Sequence, residues 1–174
     1  MPNWCDNRAT ISGPSPVIDE IKQILKQENP NLLSWMVPQP NFENDQAWYQ
    51  WNIDNWGTKW DIDNAYISDE SESDSVTFSF ATAWAPPVTA FETWAMSDGR
   101  VQFTLDYFEP GMAYVGKVSY DGEYIDEEHA DSSTDPAEYA RIALDDWGWE
   151  DDEEEPEPFT EWYEQGIEDK GLDK

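Results

Sequence analysis

One cysteine, one histidine and only nine lysine and arginine residues occur among 174 positions. The lone Cys5 excludes an internal disulfide, and nothing in its context suggests an oxidising compartment. His129, the one imidazole, and Cys5 cannot form a zinc ligand set by themselves. No nucleophile elbow and no glycine-rich phosphate loop is present, and the expectation is a protein without enzymatic activity and without a cofactor. Long apolar runs are also missing. No stretch approaches the roughly 18 apolar residues of a membrane span, and Met1 is followed by polar residues rather than by a basic and then apolar leader. A cytoplasmic protein that avoids anionic membranes is expected.

What the chain holds in excess is negative charge and aromatic rings. Asp and Glu number 39, for a formal charge of −30. The excess is uneven: residues 1–119 carry 17 acids and 6 bases, residues 120–174 carry 22 acids and 3 bases. A disordered polyanion would be poor in aromatics, whereas this chain has eleven Trp and 15% aromatic residues. Each buried ring removes roughly 150–250 Å² from water, so a few of them compensate for a low aliphatic content. Most of the chain is expected to fold.

Patterning supplies the elements. Arg8 to Ser12 alternates as a strand ending at Gly13. Ser15-Pro16 resembles a helix start, and Ile18, Ile21 and Leu25 continue it to about Gln27, before Asn29-Pro30. Residues 34–60 are Trp-rich, weakly periodic and broken by Pro38 and Pro40. Strands are expected at 64–68 and 76–80, a helix from Val88 to the Asp98-Gly99 stop, and a strand through Val101, Phe103, Leu105 and Tyr107. Met112–Tyr120 and Glu123–Ile125 form a hairpin across Asp121-Gly122. The order strand, helix, strand, strand, helix, strand is the split βαβ arrangement of an α+β, ferredoxin-like fold: an antiparallel sheet with helices on one face, plus a β-hairpin extension. Its exception is a long insertion at about 29–61.

Beyond it, Asp135-Pro136-Ala137-Glu138 reads as a capping box opening a helix to about Asp146. In a final helix near 157–170, Phe159, Trp162, Tyr163 and Ile167 share one face and Glu157, Glu161, Glu164 and Glu168 the other. The expected division is a ferredoxin-like domain at 1–128 and an acidic helical extension at 129–174.

Three motifs stand out in order: Met1-Pro2-Asn3-Trp4-Cys5-Asp6-Asn7, Asn55-Trp56-Gly57-Thr58-Lys59-Trp60-Asp61 and Thr82-Ala83-Trp84-Ala85-Pro86-Pro87. Together they resemble the YubB-like ferredoxin-domain family of bacteriophages and conjugative plasmids, over roughly residues 1–120. The resemblance implies a ferredoxin-like fold and a mobile-element origin. It implies no established activity, and it does not reach the acidic last third.

Two candidate sites follow. Carboxylates repeat every ~6.8 Å at alternate strand positions and every ~6 Å at i, i+4 on a helix, a rhythm near that of a nucleic-acid backbone. The run Glu150, Asp151, Asp152, Glu153, Glu154 and Glu155, continued by the stripe Glu157, Glu161, Glu164 and Glu168, is therefore the expected partner-binding surface. Such a polyanion would not bind nucleic acid itself. It would occlude the basic groove of a host nucleic-acid-binding protein: a nuclease, a restriction or other defence complex, or a nucleoid protein. Trp147, Trp149, Trp162 and Tyr163 would anchor it where exposed. The competing reading of the acids is solubility alone.

The second candidate is a small-ligand or peptide pocket at Asn55, Trp56, Lys59 and Trp60. Against it stands the expectation that these rings cap the core, with Lys59 paired to Asp61 or stacked on an indole. Metal binding is not expected: Asp61-Ile62-Asp63 starts like a calcium loop but lacks the third ligand and the glycine. A homodimer would double the anionic surface, though no segment demands one.

Overall fold

The computed structural model describes residues 3–42, 47–67 and 72–148. Six strands form one antiparallel sheet: β1 (Trp4–Ser12), β2 (Asp63–Ile67), β3 (Ser75–Ala83), β4 (Gln102–Glu109), β5 (Tyr114–Tyr120) and β6 (Ile125–Asp131). Their spatial order is β2-β3-β1-β4-β5-β6. The helices are α1 (Ser15–Leu25), α2 (Leu32–Met36), α3 (Ala47–Trp56), α4 (Val88–Asp98) and α5 (Pro136–Trp147). The first four strands with α1 and α4 are the expected ferredoxin-like βαββαβ unit, and β5–β6 widens its sheet on the β4 side.

Alternation along the strands sends odd-numbered β1 and β4 side chains to the face covered by α1 to α4. Cys5, Ala9 and Ile11 of β1, with Phe103, Leu105 and Tyr107 of β4, meet Ile18 and Ile21 of α1 and Ala90, Phe91, Trp94 and Ala95 of α4. Phe91 is the centre of this core, stacked on Phe80 at 6.2 Å and edge-on to Phe103 at 5.4 Å. Burying such a ring stabilises by roughly 1.5–3 kcal/mol. Gly99, in the left-handed region at φ 68°, closes α4 where the sequence puts its stop.

Three elements depart from expectation. α1 begins at Ser15 with Pro14 as its cap residue, one position early, so Pro16 is its second residue. The Trp-rich insertion holds two helices instead of irregular chain. α2 lacks a cap of its own, and Asp61 serves from a distance, its two carboxylate oxygens accepting from Leu33 N at 2.8 Å and Ser34 N at 2.9 Å. The third departure is β6, which continues through Asp126-Glu127-Glu128 to Asp131.

α5 lies on the opposite sheet face, where Tyr139, Ile142 and Ala143 pack on Phe108, Val115 and Ala130. Its start follows the sequence reading, with the Asp135 carboxylate accepting from Glu138 N at 3.3 Å. The expected division at 128/129 falls inside β6, and α5 shares a core with the sheet. The final helix, the acidic run and Trp149 lie outside the described residues. No helix among the described residues is long and apolar enough to cross a membrane.

Candidate interaction site

On the face carrying α1 to α4, the sheet changes character along its strands. Rows through Ile11–Phe103–Tyr120 and Ala9–Leu105–Val118 are apolar. Nearer the β4–β5 turn the pairings become Thr82–Cys5, Asn7–Tyr107 and Glu109–Tyr114. These polar groups are buried and bonded: Asn7 Nδ2 donates to Cys5 O at 2.9 Å and to Thr82 Oγ1 at 2.8 Å, and Thr82 Oγ1 donates to Ala85 O at 2.8 Å. Glu109 is 1% exposed; one oxygen accepts from Met112 N and the other, Oε1, has no partner among the described residues.

The three sequence motifs converge here, on Trp84. Trp84 N donates to Asn3 O at 2.9 Å, and the Tyr114 hydroxyl donates to Trp84 O at 2.5 Å. Thr58 Oγ1 holds the neighbouring Ala83 O at 2.9 Å. These bonds fix Trp84 at φ 70°, a left-handed conformation that costs a bulky residue roughly 1–3 kcal/mol and persists where surroundings impose it. Gly57, at φ 85°, closes α3, and a Cβ there would stand 3.0 Å from Pro86 O. The middle motif thus needs glycine for its conformation and for its approach to the third motif.

Among the described residues, α1 to α4 leave the β6 edge of this face uncovered. Between Trp84, Pro86, Val88 and Thr89 on one side and β6 on the other lies an open cleft of about 570 Å³. Tyr107 forms its floor. Gly116 opposite has no side chain, so the phenol crosses that position and meets His129 Nδ1 at 3.2 Å; a Cβ on Gly116 would lie 2.3 Å from the hydroxyl. Tyr114, Met112, Glu127 and His129 complete the lining.

One carboxylate, that of Glu127, lines the cleft. Burial and the charge of Glu127 hold the Tyr107 phenol protonated far into alkaline pH, and burial does the same for Tyr114. Glu92 of α4 is raised by burial and by Glu127. Burial, then Glu109, pushes the Cys5 thiol up to about 12, so it is a protonated core group and not a nucleophile at neutral pH. Among the described residues no three His, Cys, Asp or Glu side chains gather into a metal site.

β6 is also an edge strand of the sheet, unpaired on its outer side among the described residues, and all of residues 121–129 are exposed, including Asp121, Glu123, Asp126, Glu127 and Glu128. Glu127 faces the cleft, while Asp126 and Glu128 point to the α5 side, a repeat of ~6.8 Å. Many cations elsewhere are internally committed. Arg100 pairs with Asp98 at 2.8 Å, Lys117 with Asp106 at 3.5 Å, and Arg141 with Glu138 at 2.5 Å. Arg8 lies 4.6 Å over Trp147, which stacks on Phe108 and so belongs to the α5 core.

The pocket expected at Asn55, Trp56, Lys59 and Trp60 does not gather those four side chains. Trp56 is 2% exposed and donates Nε1 to Val37 O at 2.9 Å, which places it in the core. Asn55 turns back to Trp51 O. Lys59 stacks over Trp60 at 4.3 Å and Trp84 at 4.8 Å rather than pairing with Asp61, whose carboxylate caps α2. Trp84 was read only as part of a motif and Tyr107 only as a strand residue; that they share a cleft with Tyr114, Glu127 and His129 escaped the sequence reading. The signal available was Gly116 inside a strand pattern, which marks a close approach.

Residues 55–164 match the family described as the ferredoxin-like domain in Api92-like protein, and the chain belongs to that family. Among solved structures, it is similar to the protein api92 from Yersinia pseudotuberculosis, with a TM-score of 0.56 and 11% identity over 75% of this chain and 98% of that one. At that identity the likeness shows the fold alone. No curated protein matches the sequence. The family match crosses the 128/129 division and reaches into the acidic last third.

Proposed function

We propose that this protein is a non-enzymatic acidic docking protein that occupies the basic nucleic-acid-binding groove of a host protein, imitating the charge of the nucleic acid. One observation carries the reading. The acids of residues 121–128 stand exposed on and beside an open strand edge, while most described cations are tied to carboxylates, rings or backbone oxygens of their own fold. Further along the sequence, after α5, come the run 150–155 and Glu157, Glu161, Glu164 and Glu168. Exposed acids also keep an edge strand from pairing with other sheets, so charge on β6 alone would serve the monomer. Their number beyond any need of one strand favours a partner.

The YubB-like resemblance of the motifs at 1–7, 55–61 and 82–87 supports a mobile-element origin, with a nuclease, restriction or other defence complex, or nucleoid protein of the host cytoplasm as target. Occlusion would be competitive, fast and salt-sensitive. The test is capture of host proteins on the immobilised full chain, then competition of duplex DNA for each captured protein. Expected is mutual displacement, with affinity falling about 10³-fold between 50 and 200 mM salt where six or more carboxylates engage. Capture that DNA cannot displace, or that survives reversing the charges at 126–128 and 150–168, refutes the reading.

A further inference from the structure

We propose that the Trp84–His129 cleft is an anchor site for one arginine side chain of the basic partner, a role that rests on the docking function above and gives it specificity. Diffuse negative charge attracts any cation, but it cannot select one. Selection needs a shaped site with flat surfaces and a carboxylate beside them, and the cleft has both. Tyr114 and His129 stand with ring centroids 5.8 Å apart and planes inclined at 40°, above the Tyr107 floor. Glu127 stands on the same wall two residues from His129, its carboxylate exposed.

Guanidinium is the cation that suits such a place. It is planar, weakly hydrated and forked, so it can lie against rings and meet a carboxylate with two N–H groups at once. An ammonium can lie over a ring, as Lys59 does here, but it has no planar fork to meet both oxygens of a carboxylate at once. Lys59 already stacks on Trp84, the remaining indole of the site, so the incoming group meets the tyrosine and histidine side of the cleft. Glu92 of α4 lies close enough to Glu127 to be raised by it, after burial, so a second carboxyl stands near the site. At about 570 Å³ the cleft has room for an arginine side chain and the peptide backbone bearing it. His129 is held towards the site by Tyr107 across Gly116, which ties the floor of the cleft to its outer wall.

The test is titration of the full, isotope-labelled chain with N-acetyl-arginine methylamide, followed by amide and Trp indole resonances. The lysine and citrulline counterparts serve as probes of charge without planarity and planarity without charge. Expected are saturable shifts at Trp84, Tyr114, Glu127 and His129, with the lysine probe about 5-fold and the citrulline probe about 10-fold weaker. Glu127→Gln, at an exposed position that the fold does not need, should weaken the arginine probe at least about 5-fold. Glu123→Gln, an exposed acid outside the cleft, should change it less than 2-fold. Equal binding of the citrulline probe, equal loss in both variants, or shifts spread along 121–128 without saturation would overturn the anchor. The two proposals fail separately. If groove competition persists unchanged in Glu127→Gln, the anchor falls and docking stands; if the arginine probe binds in the cleft while no captured protein loses its DNA, the reverse holds.

Discussion

The two ends of one sheet face use the same alternation for different purposes. At the end bearing Ile11, Phe103, Leu105 and Val118, every inward position is apolar and covered by α1 or α4. At the end bearing Cys5, Asn7, Tyr107 and Glu109, inward positions are polar, each bonded to a specific neighbour, except for one oxygen of Glu109. Apolar contact is tolerant of partner and geometry, and supplies stability. Buried polar contact is demanding, and supplies one defined arrangement of Trp84, Tyr107 and His129. The comparison teaches that the fold's stability and its candidate site are separable, although they share strands.

That separation can be broken in three ways. The largest effect is expected from Phe91→Ala, which should cost about 3–5 kcal/mol in urea unfolding while leaving arginine-probe affinity of the folded fraction unchanged. A cost below about 1 kcal/mol would show that the apolar end is not the stable one. Gly116→Ala should cost about 1–3 kcal/mol, because its Cβ would collide with the Tyr107 hydroxyl at 2.3 Å and Glu128 O at 2.5 Å. Unlike Phe91→Ala, it should shift the His129 ring resonances in the folded state. A silent Gly116→Ala would mean that Tyr107 does not cross this position.

The last effect is read only in alkali. Cys5 ionises at about 12 when folded against an ordinary 9.0, so its contribution is complete below pH 9 and is lost as pH rises towards 12. Tyr107 and Tyr114, both raised, lose theirs from about pH 10 upward. The urea midpoint should therefore fall with alkali, and Cys5→Ser should flatten the first part of that fall. A midpoint constant from pH 9 to 12 would place the thiol outside the buried network.

The elements that were legible in advance bury one face and leave the other open. β1, β3, β4, α1 and α4 each repeat apolar residues with the period of their own geometry, and α5 announces itself through Asp135 and Pro136. α3 stayed hidden because Trp48, Tyr49, Trp51 and Trp56 put rings on several sides, so no single stripe marks its buried face. β6 stayed hidden for the opposite reason. An edge strand exposed on both faces has no alternation to read, and Asp126-Glu127-Glu128 resembles a loop. The site was half legible: the motif residues were found, but Trp56 went to the core while Trp84 became the meeting point.

By itself, the sequence determined the ferredoxin-like order of elements and the excess of negative charge. Those follow from residue type and local period, which a single chain segment carries on its own. Tertiary structure alone decided that residues 3, 58, 84 and 114 meet, that Tyr107 reaches His129 through the gap at Gly116, and that Glu127 faces a cleft rather than open water. Contacts between residues far apart in the chain depend on strand register and on which sheet positions the helices leave uncovered. No local pattern encodes either of these.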